Sequence, residues 1–290
     1  MSDDAPPPKP LVPGVASALT PMVRRVLAPN PGVMTGPGTN TYLVGIDEVV
    51  VIDPGIEDEG HLEAIIGCGG DRIRWIVCTH THPDHAPGAA ALKARTGAEV
   101  LGFESRDSLV VDTTMADGDR IEATEFRLRA VHTPGHASNH LCFLLEGERL
   151  LFSGDHIMQG STVVIAPPDG DMAAYFASLE RLRGLRLKAI APGHGHLIDD
   201  PLPVIDGYLA HRREREQQVL DALAAGDVTA AAIVDRLYVG LVEELVPRAR
   251  QSVHAHLRKL VADGKVTTAD ADDGEGQWAL VSNGEVTHGG

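Results

Sequence analysis

Histidine and aspartate side chains are concentrated in one short segment, Ile76–His85, which reads Ile-Val-Cys-Thr-His-Thr-His-Pro-Asp-His. Successive side chains of an extended chain point to opposite sides, so His80 and His82 face the same side and both imidazoles can reach one ion. Asp84 and His85 lie where the predicted strand turns into a helix, which aims them at a neighbouring position. The spacing therefore predicts that one segment supplies ligands to two metal ions.

Three further candidate ligands follow downstream, each after an apolar strand and beside a glycine: His136, Asp155 and His194. Glycine permits the sharp turn that delivers a side chain to the edge of a sheet. Imidazole and carboxylate ligands suit zinc and also manganese or iron, and the lack of cysteine ligands argues against a closed structural zinc site. We therefore predict an open site for two divalent ions, with Zn²⁺ as the first expectation and Mn²⁺ or Fe²⁺ as alternatives.

Other polar residues near these segments have ordinary structural interpretations. Asp53 fits equally well as a hydrogen-bond acceptor behind a ligand and as a plain turn aspartate. Asn139 and His140 are the candidates for a general acid, because they lie close to His136 in the sequence. A lone histidine at a strand end is more often structural than a ligand, which applies to five residues: His61, His132, His140, His156 and His196.

The pattern from about residue 40 to 200 is that of an α/β domain, because short β-branched runs end in polar turns and alternate with helical stretches. Packing helices are expected where apolar residues recur at helical spacing, over Asp84–Thr96 and Asp171–Leu182. The expected strands are Thr41–Val44, Val49–Ile52, Trp75–Thr79, Glu99–Gly102, Phe126–Val131, Leu141–Leu145, Leu150–Ser153 and Ala189–Ala191.

The sequence pattern changes after Pro201 and Pro203, which predicts a domain boundary near residue 205. A charged stretch, two helical segments and two short strands follow, an order that resembles a winged-helix module. The helical segments are Val228–Tyr238 and Ala249–Ala262, and the strands are Lys265–Thr268 and Gln277–Val281. The predicted organisation is a tail over residues 1–15, a catalytic domain over 16–204 and a winged-helix-like domain over 205–290.

Charge gives two opposing indications about a nucleic-acid partner. The formal net charge of the 290 residues is −16, which argues against general attraction to nucleic acid or anionic lipid. The last predicted helix is locally basic, with no acid until Asp263. A polyanion could dock there, but a solvated helix face explains the charges equally well. The candidate nucleic-acid contacts are Arg248, Arg250, Arg258 and Lys259.

Cysteine content and hydropathy bear on the compartment. The three cysteines match neither a disulfide framework nor a cysteine zinc site, which favours a reducing compartment, and we expect the cytoplasm. The segment Met1–Pro13 lacks the basic start and apolar run of a secretory signal. Since no apolar stretch approaches the roughly 20 residues that a membrane helix requires, no membrane association is expected.

The ligand segments resemble those of the metallo-β-lactamase superfamily over about residues 20 to 200. The resemblance implies an αββα sandwich with two metals at one edge between the sheets. It also implies that Asp155 bridges the ions and that Asp84 and Asp155 are the catalytic carboxylates. The first ion would be held by His80, His82 and His136, and the second by Asp84, His85 and His194. β-Lactamases of this fold typically lack a bridging aspartate at this place, so antibiotic hydrolysis is not expected.

Flanking segments narrow the resemblance to the lactamase-beta-2-like subgroup, which includes a single-strand endoribonuclease. These segments are Asn30-Pro-Gly, Gly36–Gly45 and Gly154-Asp-His. The resemblance implies hydrolysis of phosphodiester bonds in single-stranded RNA, in which two ions about 4 Å apart lower the pKa of a shared water and neutralise phosphate charge. Glyoxalase II-like proteins use the same seven ligands, so hydrolysis of a small ester or thioester is the alternative. A non-catalytic winged-helix regulator is the third, and a complete ligand set disfavours it.

Overall fold

The computed structural model describes residues 10–160 and 162–281. Residues 1–9 of the predicted tail lie outside the described residues. Within the described part the chain forms two compact units. The first comprises residues 10–134, 139–163 and 181–205, and the second comprises residues 135–138, 164–180 and 206–281. The domain boundary near residue 205 stays a prediction.

The first unit contains a seven-stranded sheet in which the strands follow one another in sequence order. Strands β1 to β4 pair antiparallel, whereas β4 to β7 pair parallel. The strands are β1 (Ser17–Ala18), β2 (Val23–Leu27), β3 (Asn40–Val44), β4 (Val49–Ile52), β5 (Ile73–Val77), β6 (Glu99–Gly102) and β7 (Thr113–Thr114).

A second sheet of five strands completes the sandwich of the first unit, in the order β12-β11-β10-β9-β8. Only β11 and β12 pair parallel; the other neighbours are antiparallel. The strands are β8 (Arg120–Glu122), β9 (Arg127–His132), β10 (Leu141–Leu145), β11 (Leu150–Gly154) and β12 (Ala189–Pro192). In both sheets, candidate ligands therefore follow the ends of strands that pair parallel.

Strands β3 and β4 are buried at every residue, because their side chains alternate between the two faces of the first sheet and both faces are covered there. Val50 and Ile52 point toward the second sheet and share a core with Phe143 and Phe152. Val49 and Val51 point to the other face, where they share a second core with Leu62, Ile65 and Leu92. These last three residues belong to the helices α1 (Glu59–Gly69) and α2 (Gly88–Thr96). The expected α/β sandwich is confirmed.

The ligand segment itself is not helical, although a helix was expected from Asp84. Helix α2 begins only at Gly88, after Pro87. Before it, the amides of His85 and Ala86 both donate to the His82 carbonyl, which makes a tight turn. Proline has no amide hydrogen and is best tolerated at the start of a helix, so the helix begins after Pro87.

The second unit is mainly helical. Thr229 caps the third of its helices by accepting from the Ala232 amide at 3.2 Å. Its core includes Val253, Leu257 and the fully buried Trp278. The elements are most of α3 (Met172–Arg183) and α4 (Pro201–Ala224), then α5 (Ala230–Leu237), α6 (Val246–Ala262) and the antiparallel strands β13 (Val266–Thr268) and β14 (Trp278–Leu280). Among residues 10–160 and 162–281, no helix combines the length and apolar character that a membrane crossing requires.

Candidate metal centre

Four predicted ligands of the first unit converge: Asp84, His85, Asp155 and His194. One ligand atom of each lies within 4.8 Å of those of the others. The Nε2 atoms of His85 and His194 lie 3.2 and 3.3 Å from Asp155 Oδ1. The same two nitrogens lie 3.5 and 3.2 Å from Asp84 Oδ2. Two imidazoles therefore face the same two carboxylate oxygens.

Hydrogen bonds on the opposite ring nitrogens fix these two imidazoles. His85 Nδ1 donates to Asp53 Oδ2 at 2.9 Å, and His194 Nδ1 donates to the Gly38 carbonyl at 3.1 Å. A proton held on Nδ1 leaves the Nε2 lone pair to face the cluster. Such backing bonds set the tautomer and orientation of metal-binding histidines in proteins.

Asp53 is the residue whose role the sequence left undecided. It is 1% exposed and has a positive φ of 51°, a conformation that aspartate adopts more readily than bulky residues. Its carboxylate accepts from Thr79 N at 2.7 Å and Thr79 Oγ1 at 2.8 Å, besides His85. It is therefore more than a turn residue. No sequence pattern indicates these partners, because they lie 26 and 32 residues away.

His80 and His82 lie beside this cluster. His80 Nε2 lies 2.9 Å from His82 Nδ1, so the two rings share one side of the chain, as the spacing predicts. His80 is 1% exposed, its Nδ1 is 3.0 Å from Thr79 Oγ1, and its ring centre is 4.3 Å from that of His85. The segment Ile76–His85 thus contributes candidate metal ligands to two neighbouring groups.

His136 lies in the second unit. Its Nδ1 donates to the Val164 carbonyl at 2.8 Å, the same kind of backing bond that His194 makes. Its assignment to the ion of His80 and His82 stays a prediction.

Two glycines allow the ligand turns to approach each other. A Cβ at Gly193 would lie 2.7 Å from Asp155 Oδ1 and 2.8 Å from His85 Cε1. A Cβ at Gly154, where φ is +47°, would lie 2.5 Å from Thr79 Oγ1. Real Cβ atoms do not come this close, so both positions require glycine.

Neighbouring charges outweigh burial in setting the pKa values of two side chains of this cluster. Burial acts to lower the pKa of His194, but the charge and hydrogen bond of Asp155 outweigh it and raise the pKa to about 9. Burial likewise acts to raise the pKa of Asp155, but His85 and His194 hold it well below its ordinary value. His80 differs, because burial and then the charge of His85 hold its pKa well below the usual value.

The donor set fits divalent metal ions. The carboxylates of the buried Asp155 and the half-buried Asp84 face the same space, and a cation there would stabilise both charges. The imidazole nitrogens and carboxylate oxygens match ligands that zinc, manganese and iron accept. The fold thus brings six of the seven predicted ligands together within one unit.

The two candidates for a general acid are buried behind the ligand segment. Asn139 is 2% exposed and its amide donates to Thr81 Oγ1 at 3.1 Å. His140 is 0% exposed, with Nδ1 2.9 Å from Thr133 Oγ1 and its ring centre 5.1 Å from that of His80. Both positions suit support of the ligand segment better than contact with substrate.

The basic residues of α6 are largely paired within the second unit. Lys259 Nζ lies 2.9 Å from Glu216 Oε2 and 2.7 Å from Asp263 Oδ2, and Arg258 pairs with Asp272 at 3.0 Å. The sequence does not indicate these ion pairs, because Glu216 and Asp272 are distant from their partners along the chain. All residues from Ser252 to Leu257 are buried, so this part of the helix presents no open face.

The remaining two basic candidates lie closer to the start of α6. Arg248 is exposed and its Nη1 donates to Gln251 Oε1 at 3.1 Å. Arg250 is half-buried. Of the four candidates, Arg248 is therefore the most accessible to a polyanion.

Comparison with known protein families assigns both parts of the chain. A family model described as the metallo-β-lactamase superfamily matches residues 34–194. A second model, described as the beta-lactamase associated winged helix domain, matches residues 229–278. The chain therefore belongs to the metallo-β-lactamase superfamily, as an α/β fold of that family followed by a winged-helix domain.

Curated relatives match over most of their length. A beta-lactamase-like protein 2 homolog of Drosophila melanogaster is 33% identical over 286 residues, covering 91% of this chain and 96% of the relative. An atrochrysone carboxyl ACP thioesterase of a Cryptosporiopsis species is 32% identical over 271 residues, covering 86% and 82%.

Solved structures share the fold. A metallo-β-lactamase family protein of Thermus thermophilus aligns with a TM-score of 0.76 at 22% identity, covering 91% of this chain and all of the other. A beta-lactamase domain protein of Burkholderia ambifaria aligns with a TM-score of 0.78 at 21% identity, covering 93% and 95%. Proteins of this superfamily are generally hydrolases, and their fold binds two metal ions.

Proposed function

We propose that this protein hydrolyses acyl thioesters at a site for two divalent ions, with zinc as the proposed metal. The observation that carries the proposal is the convergence of His85 and His194 on the oxygens of Asp84 and Asp155. His80, His82 and His136 would hold the first ion, and Asp84, His85 and His194 the second. Asp155 would bridge them.

The chemistry that two bound ions supply is a water of lowered pKa and polarisation of a substrate carbonyl. Asp53 keeps the proton of His85 on Nδ1, so that Nε2 stays available as a ligand atom. The side chain of Asp84 is 23% exposed and that of Asp155 is 12% exposed. Asp84 would therefore be the better placed of the two to take the proton that the attacking water gives up, and Asp155 would be a ligand of the ions.

A thioester suits the surroundings of this site. A thiolate leaves readily, because the pKa of a simple thiol is about 8.5, whereas the oxygen leaving group of a phosphodiester requires more help. Asn139 and His140, the candidates for that help, are buried behind the ligand segment. The relative named as an ACP thioesterase supports the same substrate class. We place the reaction in the cytoplasm, where the free thiols of Cys68, Cys78 and Cys142 would stay reduced.

Cleavage of single-stranded RNA is the second candidate function. The exposed Arg248 and the half-buried Arg250 near the start of α6 favour it. The paired charges of Arg258 and Lys259 weaken it, since a cation already held by carboxylates attracts a phosphate less. The proposed substrate is therefore a thioester, and RNA is the alternative that the experiment must separate.

The test is a panel of acyl-CoA thioesters, S-lactoylglutathione, single-stranded RNA and a β-lactam, with metal-stripped protein as control. We expect metal-dependent release of thiol from an acyl thioester and no turnover of the β-lactam. The proposal is wrong if RNA alone is cleaved. Replacing Arg248 and Arg250 with alanine should leave thioester hydrolysis within about twofold of the wild type, whereas an RNA-cleaving enzyme would lose affinity and salt dependence.

A further inference from the structure

The connection between α5 and α6 in the second unit exposes apolar side chains to solvent. It spans residues 238–245, and Val239 and Val242 within it are 89% and 59% exposed. Leu241 and Leu245 beside them are half-buried. Single exposed apolar residues are ordinary on a protein surface, whereas several in one short segment indicate a surface that another molecule covers.

Hydrogen bonds and a ring contact give this connection a defined shape. The Leu241 amide donates to the Tyr238 carbonyl at 3.1 Å, and the Leu245 amide donates to the Val242 carbonyl at 3.0 Å. The guanidinium carbon of Arg215 on α4 lies 4.4 Å from the centre of the Tyr238 ring, which ties the start of the connection to the body of the second unit. The two exposed valines therefore belong to ordered turns.

Charges of both signs flank the apolar residues. Glu243 and Glu244 are exposed at the end of the connection, and Arg248 is exposed in the first turn of α6, about one helical turn after Glu244. The Arg248 guanidinium donates to the neutral Gln251 side chain at 3.1 Å. Over residues 10–160 and 162–281, no ion pair involves any of these three charged side chains. The surface therefore offers acidic and basic groups that no ion pair within the described chain neutralises.

The presence of both signs favours a second copy of the chain as the occupant of this surface. A partner with charge of one sign would be repelled either by the glutamates or by Arg248. In a two-fold symmetric contact both copies use the same surface, so a pairing between two positions occurs twice. Glu244 of each copy would then face Arg248 of the other, with Val239 and Val242 of both copies between the two ion pairs.

We propose that the α5–α6 connection and the first turn of α6 form the contact between two copies of this chain in a symmetric dimer. Burial of Val239 and Val242 supplies the favourable free energy, and the pairs of Glu244 with Arg248 fix the orientation of the two copies. The segment is shorter than the roughly 20–30 residues that each side of a standard interface contributes, so the association is weak and concentration-dependent. This inference does not depend on the proposed substrate, because association needs no turnover.

Sedimentation velocity of the full-length protein over about 1–200 µM tests the proposal, because a Kd on the order of tens of µM changes the average mass across that range. We expect Val239→Ser/Val242→Ser to associate at least about tenfold more weakly than the wild type, since a few central residues carry most of the affinity of a contact. The matched control is Val228→Ser/Leu280→Ser, which changes two residues of the same unit that are 42% and 38% exposed. The control variant should associate like the wild type.

Charge reversal supplies a second test that leaves the valines in place. Glu244→Arg and Arg248→Glu should each weaken association about tenfold, because like charges then face each other. The variant that combines both changes should recover association to within about threefold of the wild type, since the pairs form again with exchanged signs.

The proposal is overturned by a wild type that stays monomeric at every concentration, or by a dimer that Val239→Ser/Val242→Ser leaves intact. It is equally overturned if the combined charge-reversal variant associates no better than the two single variants. Single-stranded RNA that binds wild-type monomers and loses affinity in Val239→Ser/Val242→Ser would assign this surface to a different partner, which also contradicts the dimer.

Discussion

Buried histidines occur in both units, and their surroundings are opposite. In the first unit His194 lies against Asp84 and Asp155, which raise its pKa to about 9 against the effect of burial. In the second unit His256 on α6 is 0% exposed. Its pKa is lowered to about 3 by burial and then by the charges of Arg212 and Lys259.

This difference distinguishes a site from a core. Carboxylates around buried imidazoles create a place where positive charge is stabilised, which is what a cation needs. Cations around a buried imidazole keep it neutral, so His256 behaves as part of the packing of the second unit. Burial of histidine alone therefore indicates no function, whereas carboxylates facing the ring, as at His194, indicate a cation site.

Loss of Asp155 should have the largest effect on the first region. Asp155→Asn removes the charge that both imidazoles face. We expect turnover to slow by more than about 100-fold, because loss of a residue that only hydrogen-bonds to a metal ligand usually costs up to about 100-fold. Steady-state kinetics measures it. Asp112→Asn is the control, because that carboxylate pairs with Lys93 at the surface. Wild-type turnover in Asp155→Asn would contradict the assignment of Asp155 as the ligand that bridges the two ions.

Loss of the carboxylate behind His85 should have the next largest effect. Asp53→Asn keeps the shape but weakens the bond to His85 Nδ1, and such changes reduce metal affinity or activity about 10- to 100-fold. Competition with a chromogenic chelator measures the affinity. Asp58→Asn removes a carboxylate that only caps α1 and should leave metal affinity unchanged. Equal metal affinities in the two variants would show that Asp53 acts only as a turn residue.

Crowding at Gly193 tests the packing of the same region. In Gly193→Ala the new methyl group would meet Asp155 and His85, so we expect about 1–3 kcal/mol lower stability and weaker metal binding. Gly67→Ala is the control, because a Cβ there meets nothing within 4 Å in helix α1. Chemical unfolding with and without metal measures both. Identical behaviour of the two alanine variants would contradict the close approach of the ligand turns.

Acidification should have a smaller effect, on the second region. The folded-state pKa of His256, about 3, lies below its ordinary value of 6.5, so the unfolded chain binds a proton first. Stability from this residue is therefore present above about pH 6.5 and is lost as the pH falls toward 3, by at most about 1.4 kcal/mol per pH unit. Urea unfolding at pH 7 and 5.5 measures the loss.

The fluorescence of Trp278 reports on the second unit in this experiment once Trp75, the other tryptophan, is replaced by phenylalanine. In His256→Leu the difference between the two pH values should shrink by about 1 kcal/mol. An unchanged difference would show that His256 does not carry a depressed pKa.

Local spacing and strand ends were enough to predict which side chains of the first unit come together, since the alternation of His80 and His82 after β5 and a glycine beside each later candidate are visible in the sequence. Contacts between distant segments were not predictable. Asp53 reaches His85 across 32 residues, and Glu216 reaches Lys259 from a different helix, so the basic stretch of α6 appeared more open than it is. The start of α2 was misplaced because the turn at His82 depends on hydrogen bonds that apolar periodicity does not report.

The most direct test of the central claim is the metal content of the purified protein, measured by inductively coupled plasma mass spectrometry after expression with zinc, manganese and iron supplied. The convergence of imidazoles on Asp84 and Asp155, together with the pair His80 and His82, predicts about two transition-metal ions per chain and clearly fewer in Asp155→Asn. A content near zero in the wild type, or equal contents in both proteins, would contradict it.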